Sequence, residues 1–143
     1  MLLVQNKRAS YDYVILQKIS AGVVLSGAEV KSLRSKSGSL QGSFGQIVGG
    51  QPILLNAQIS PYPYANNQDY DPKRTRKLLL KKKEIYHLQA QLEQKGLSLV
   101  PLSFETYGKR IKLNLALARG RKQFEKRAKL RERDLKREQL KNL

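Results

Sequence analysis

The sequence predicts a mainly β fold: a small antiparallel OB-like barrel with about two to three helices and a basic C-terminal tail. Three observations carry this. Short runs alternate between apolar and polar residues at the period of strands. Glycine and asparagine turns separate them, and no strand–helix–strand rhythm develops. After Ala118 the composition changes: Arg119 to Leu143 holds eleven basic and four acidic residues with only scattered leucines, too few to bury in a core. A barrel domain over residues 1–118 and a tail over 119–143 follow. The tail is expected to be disordered when free and helical on its partner.

In chain order, Asn6-Lys7-Arg8-Ala9 is a short basic entry. Tyr11, Tyr13, Ile15 and Ile19 lie mostly two apart and read as a strand, with Gly22 permitting a turn. Ser26-Gly27-Ala28-Glu29 fits a capping box, in which Ser bonds forward to a free amide and Glu reaches back. The helix it starts turns Val30 and Leu33 inward, places Lys31 and Arg34 on its outer face, and is expected to stop at Gly38. Gly49-Gly50 between Gln46-Ile47-Val48 and Pro52-Ile53-Leu54-Leu55 reads as a hairpin turn. Pro61-Tyr62-Pro63-Tyr64 and Asn66-Asn67 form a loop whose tyrosines either stack on bases or pack on the loop prolines.

Leu78, Ile85, Leu88 and Leu92 then fall at helical spacing, with Lys95 in the last turn and Gly96 as the stop. Leu97 to Phe104 reads as a strand with an edge or bulge at Pro101, and Gly108 marks a turn. Ile111, Leu113, Leu115 and Leu117 alternate with Lys112, Asn114, Ala116 and Ala118, the clearest strand in the chain. Its outward face offers Lys112 and Asn114.

The charge is the strongest functional signal. The 143 residues carry 28 Lys and Arg against 11 Asp and Glu, a formal net charge of +17. Solubility asks for a magnitude of only about 2–8 in a small domain. From Lys73 to Lys83 there are seven basic residues and no acid, interrupted by Leu78-Leu79-Leu80, which ties the run to a core. Like charges so closely spaced call for a partner that brings negative charge, and a row of phosphates does so. The RNA-facing candidates from the body are Lys31, Arg34, Arg74, Arg76, Lys77, Leu79, Lys81, Lys112 and Asn114.

Other classes find little support. With no cysteine there is no disulfide, thiolate metal site or cysteine nucleophile, and His87 stands alone. No apolar run is long enough for a membrane span, and Met1-Leu2-Leu3-Val4 is too short for a signal-peptide core. The acids before the tail are mostly isolated; Asp69 and Asp71 are the nearest approach to a catalytic pair, in a Pro/Asn loop. The expectation is a cytoplasmic, monomeric, non-enzymatic protein with no metal or cofactor.

A family resemblance emerges from several motifs in order. Asn6-Lys7-Arg8-Ala9, Gly22, and Leu25-x-Gly-x-Glu29-Val30-Lys31-Ser32-Leu33-Arg34 are followed by Asp71-Pro72-x-Arg74-x-Arg76-Lys77-Leu78-Leu79-Leu80. Gly96-x-x-x-Val100-Pro101-Leu102, Lys112-x-x-x-Ala-x-Ala118-x-Gly120 and Lys126-Arg127 complete the series. Together they resemble the small protein B family of transfer-messenger RNA-binding proteins, over residues 6 to about 138.

The resemblance implies trans-translation, the rescue of ribosomes stalled on messages without a stop codon. The barrel would bind the tRNA-like domain of transfer-messenger RNA. The tail would enter the decoding centre and message channel along 16S rRNA. Leu79 and Lys112 fall where the family contacts RNA; Arg119, Gly120, Arg121, Lys122, Phe124, Lys126 and Arg127 fall on its ribosome-binding tail. Ser20, Lys81 and Phe124 depart from the usual pattern. The alternative class is a structural ribosomal-type protein with its tail threaded permanently into rRNA.

Overall fold

A computed structural model describes residues 1–94 and 96–141. In order, the elements are β1 (Leu2–Gln5), α1 (Ala9–Asp12), β2 (Tyr13–Val23), α2 (Gly27–Arg34), β3 (Gly38–Ser39), β4 (Phe44–Val48) and β5 (Gln51–Leu55). There follow β6 (Gln58–Ile59), β7 (Arg76–Leu79), α3 (Lys82–Leu92), β8 (Leu97–Tyr107), β9 (Arg110–Gly120) and α4 (Gln123–Lys141). Lys95, expected in the last turn of α3, lies outside the described residues, as do Asn142 and Leu143 of the tail.

Every strand pairing is antiparallel. The ring runs β8–β4–β5–β7–β2–β9 and returns to β8, with β1 attached to β8 alongside it and β3–β6 as a separate small ladder. This is the expected OB-like barrel. Among the described residues it carries four helices where two or three are expected, because α1 and the tail helix α4 add to α2 and α3. Ile111, Leu113 and Leu115 of β9 pack in one core with Leu54, Leu78, Leu99 and Phe104, all buried, and Leu117 is buried as well. Leu33 plugs in from α2 and Leu88 from α3. Ala116 and Ala118, on the other face of β9, are buried too; Ala9 of α1 packs with Ala118 in a second small cluster.

Two of the narrow seams of the ring have a glycine. β4 joins β8 through the single pairing Gly45↔Leu99, where a Cβ on Gly45 would sit 2.7 Å from Leu99 Cδ2. β2 joins β7 through Gly22↔Leu79 and Val23↔Leu78. A Cβ on Gly22 would sit 3.1 Å from Leu79 Cβ. At these points strands cross closely and a side chain would hold them apart.

Several local readings are realised. The capping box at Ser26 is present, with Glu29 N–H donating to Ser26 Oγ (3.2 Å) and Ser26 N–H to Glu29 Oε1 (2.9 Å). Gly49 and Gly50 turn the β4–β5 hairpin with φ of 57° and 77°, the two positive values that a tight hairpin turn requires. Pro101 precedes a register shift against β9.

Others are corrected. Tyr11 sits in α1, so β2 starts at Tyr13 and runs straight through Gly22, which is a strand residue and not a turn. α2 ends at Arg34 and turns through Lys36 (φ 59°), so Gly38 is not its stop; it pairs with Ile59. Leu78 belongs to β7, and its helical spacing from Ile85 is accidental. Leu97–Phe104 is part of a longer strand reaching Tyr107, and β9 continues to Gly120, two residues past the expected end of the barrel.

Candidate nucleic-acid interface

The basic run that begins at Lys73 divides into a buried part and an exposed part. Arg76, at the start of β7, is wholly enclosed, and its guanidinium makes bonds in every direction. Nε and Nη2 donate to Glu29 Oε2 at 2.9 and 2.6 Å; Nη1 donates to the carbonyls of Ala57 (2.7 Å) and Arg74 (3.0 Å). Nη2 also reaches the Pro72 carbonyl (3.0 Å) and the Tyr70 hydroxyl (3.3 Å). Arg74 grips the same carboxylate from the rim, through Nε (3.1 Å) and Nη2. The single Tyr70 O–H proton has two acceptors in reach, Glu29 Oε2 (3.1 Å) and the Ile59 carbonyl (2.9 Å).

This network corrects the expectation for Arg76. It is not an RNA contact, since no phosphate can reach it. Arg74, half-buried, is tied to the same carboxylate, so its side chain is held by Glu29 while the cluster of one acid and two arginines keeps one net positive charge. The two arginines instead lock α2, the 60–75 loop and β7 into one unit. The signal that could have revealed this was Glu29 itself, placed on the inward side of α2 beside Leu33.

The electrostatics of Glu29 follow. Burial alone would push its carboxyl up. Hydrogen bonds from Arg74, the Ser26 amide and Arg76, with the field of Arg76, bring it instead from 4.5 down to about 2. Burial pushes the Tyr70 phenol up, and the adjoining Glu29 charge adds to that.

What remains exposed is a set of lysines and one leucine. Lys77 and Leu79 project outward from β7 on either side of buried Leu78. Gly22 of β2 pairs with Leu79 on one side and Lys112 of β9 on the other. Leu79, 60% exposed, and Lys112 therefore flank a strand position with no side chain. Lys112 lies over the Tyr107 ring, 5.3 Å from its centroid. Two residues along, Asn114 pairs with Ser20 and its Nδ2 donates to Ser103 Oγ (3.1 Å), in the wall of an open groove of about 580 Å³.

Lys81 lies at the entry to α3 with Lys82 and Lys83 beyond it, all exposed. On α2, Lys31 Nζ stands 5.6 Å from the Tyr62 ring centroid. Arg34 Nη2 donates to the Lys109 carbonyl at 3.1 Å. That bond brings Lys109 of the β8–β9 turn and Arg110 at the start of β9 beside α2, two cations that the sequence reading missed although they directly follow Gly108. Lys31, Arg34, Lys77, Lys81, Lys109, Arg110 and Lys112 enter no ion pair among the described residues.

Tyr62 and Tyr64 meet edge to face at 5.5 Å, a tyrosine–tyrosine contact within the loop. Asp69 and Asp71 do not converge on a site. Asp71 Oδ1 accepts the Lys73 amide (3.0 Å), while Asp69 takes up a positive φ of 62°.

The tail leaves the barrel at a fastened joint. Arg119 and Gly120 pair with Val14 and Tyr13 of β2. Arg121 donates its amide to the Asp12 carbonyl (2.8 Å) and Nε to the Ser10 carbonyl (3.1 Å). Glu125 accepts from Arg119 at 3.3 Å, which holds its carboxyl below the ordinary range, and Lys126 Nζ lies 3.6 Å from Asp12 Oδ1. Lys122, Phe124 and Arg127 face outward, with Phe124 68% exposed.

The family model described as SmpB protein matches residues 3–143.

The chain belongs to the SmpB protein family.

Among its SmpB-family relatives, an SsrA-binding protein of Gloeobacter violaceus is 44% identical over 137 residues, covering 96% of this chain and 90% of the relative. One from a Sulfurihydrogenibium species is 47% identical over 133 residues, covering 93% and 88%. A chain of the solved structure described as "tmRNA-SmpB: a journey to the center of the bacterial ribosome" superposes with a TM-score of 0.70. It is 44% identical, over 83% of this chain and 84% of that one. SmpB is an RNA-binding family, and no helix among the described residues is long and apolar enough to cross a membrane.

Proposed function

We propose that this chain binds the tRNA-like domain of transfer-messenger RNA and delivers it to stalled ribosomes for trans-translation. The observation that carries this is the family match from residue 3 to 143, which takes in both the barrel and the basic tail. The site supports it in physical terms. Lys77 and Leu79 on β7 and Lys112 on β9 lie on either side of β2 in the barrel, and the two lysines enter no ion pair among the described residues. A folded RNA is read through shape, stacking and phosphate contacts, and here the lysines supply the phosphate contacts and Leu79 an apolar surface on a rigid frame. Lys31, Arg34, Lys81 and Asn114 extend it. Arg119, Arg121, Lys122, Phe124, Lys126 and Arg127 would serve the ribosome, with Gly120 at the joint.

The chain works by binding rather than by making bonds, and its place is the cytoplasm, with the ribosomes it serves. The test is binding to the folded tRNA-like domain and to an ordinary tRNA across a salt series. Preference for the former should persist at high salt, and Lys77→Ala and Lys112→Ala should each lower the salt slope by about one unit. Equal affinity for both RNAs, collapsing with salt, would refute specific recognition.

A further inference from the structure

The exposed side of α3 carries a feature that the site above does not use. Tyr86 is 80% exposed, the most open aromatic in the barrel's regular elements. Lys82 and Lys83, one turn earlier, and His87 and Ala90 line a shallow depression with it. A tyrosine left in water at this level contributes little to folding, and among the described residues its ring makes no aromatic or cation–π contact.

The surroundings state what the ring is suited to. Lys82 and Lys83 enter no ion pair among the described residues. The nearest acid in sequence, Glu84, turns its carboxylate to the Lys81 amide (3.1 Å) and caps the helix. His87 Nε2 meets Gln17 Oε1 of β2 at 3.3 Å, so the imidazole is braced against the barrel. Ala90 presents only a methyl group one turn beyond Tyr86, which leaves the ring face accessible. An open aromatic face beside two unmatched ammonium groups is complementary to a nucleotide: a planar base joined to a phosphate.

We infer that the Lys82–Lys83–Tyr86–His87 face of α3 is a second RNA contact, which takes an unpaired nucleotide with its base stacked on Tyr86 and its phosphates on Lys82 and Lys83. The inference deepens the RNA-binding reading. It extends the surface of β7 along the chain, since Leu79 is only three residues before Lys82. It also gives that surface a feature for single strands that Lys77 and Lys112 lack.

The experiment uses the full-length protein and two probes, an oligoadenylate of about eight nucleotides and the folded tRNA-like domain. Tyr86→Ala should weaken the oligoadenylate roughly 5- to 100-fold, whereas Tyr86→Phe, which keeps the π face, should bind as wild type does. Lys82→Ala and Lys83→Ala should each reduce the salt slope by about 0.7 unit, the value for a single strand. A photoreactive oligonucleotide should crosslink to the α3 peptide. Thermal unfolding of the variants should match wild type, because the ring is exposed. Wild-type affinity in Tyr86→Ala, or equal competition by polyglutamate, would overturn the stacking site and leave charge or an acidic protein segment as the partner. If instead wild type ignores the tRNA-like domain but still needs Tyr86 for the oligonucleotide, the rescue reading fails and this site stands.

Discussion

Arg76 and Glu29, 47 positions apart in the chain, form an ion pair in which both side chains are sealed from solvent, with Nη2 2.6 Å from Oε2. Such a pair is costly to break from one side: loss of Glu29 leaves Arg76 buried without a counter-charge, and loss of Arg76 leaves buried Glu29 with Arg74 at the rim alone. Arg76→Ala and Glu29→Gln should each destabilise the fold by about 3–5 kcal/mol. Urea denaturation midpoints measure this directly, and a loss under 1 kcal/mol would mean the pair is not buried in solution.

The same carboxylate predicts an acid limb. Folding lowers the pKa of Glu29 from 4.5 to about 2, so folding favours its ionised form. The resulting stability, about 3 kcal/mol, is complete above the unfolded value of 4.5 and drains away as pH falls towards 2. Unfolding free energies measured between about pH 5 and pH 2.5 should fall more steeply for wild type than for Glu29→Gln. Parallel curves would count against the depressed pKa.

The seam between β4 and β8 offers a packing test. Gly45→Ala brings a methyl against Leu99, whose Cδ2 is 2.7 Å from that position, and should cost about 1–3 kcal/mol. Leu99→Ala alone opens the core and is also destabilising. In combination the two should be less harmful than their sum, because the smaller side chain makes room. Strict additivity in a double-mutant cycle would argue that the strands do not touch there.

The tail should separate from the barrel, provided the cut respects the strand. Deleting residues 123–143 leaves Arg119 and Gly120 paired with β2, and should keep the melting temperature and RNA affinity near wild type while abolishing rescue. Deleting from Arg119 strips the end of β9 and should lower the melting temperature as well. Equal loss of stability in both truncations would contradict a joint placed after Gly120.

Much of the fold was legible because its causes are local. The Ser26–Glu29 capping box, the Gly49-Gly50 turn and the alternation from Ile111 to Leu117 all act within a few residues. The misreadings arise where distant segments decide. Gly22 looks like a turn until β7 crosses it, and Leu78 fits a helical spacing until Val23 pairs with it. Arg76 reads as one more surface cation because the carboxylate that matches it lies in another helix. Charge density identified the partner class; it did not distinguish charge spent inside the protein from charge left for the partner.

The connectivity of β8 has a bearing on the protein's own synthesis. This strand pairs with β1, β4 and β9, so the first strand has no strand partner until residues 103–105 have been made, and β2, apart from its Gly22–Val23 end on β7, waits for residues 112–120. Closure is late and depends on contacts distant in sequence, which slows folding. A nascent chain that ends in α3 has its basic run and the Glu29 lock but no ring to hold them, so this barrel is completed only when nearly all of it has been translated.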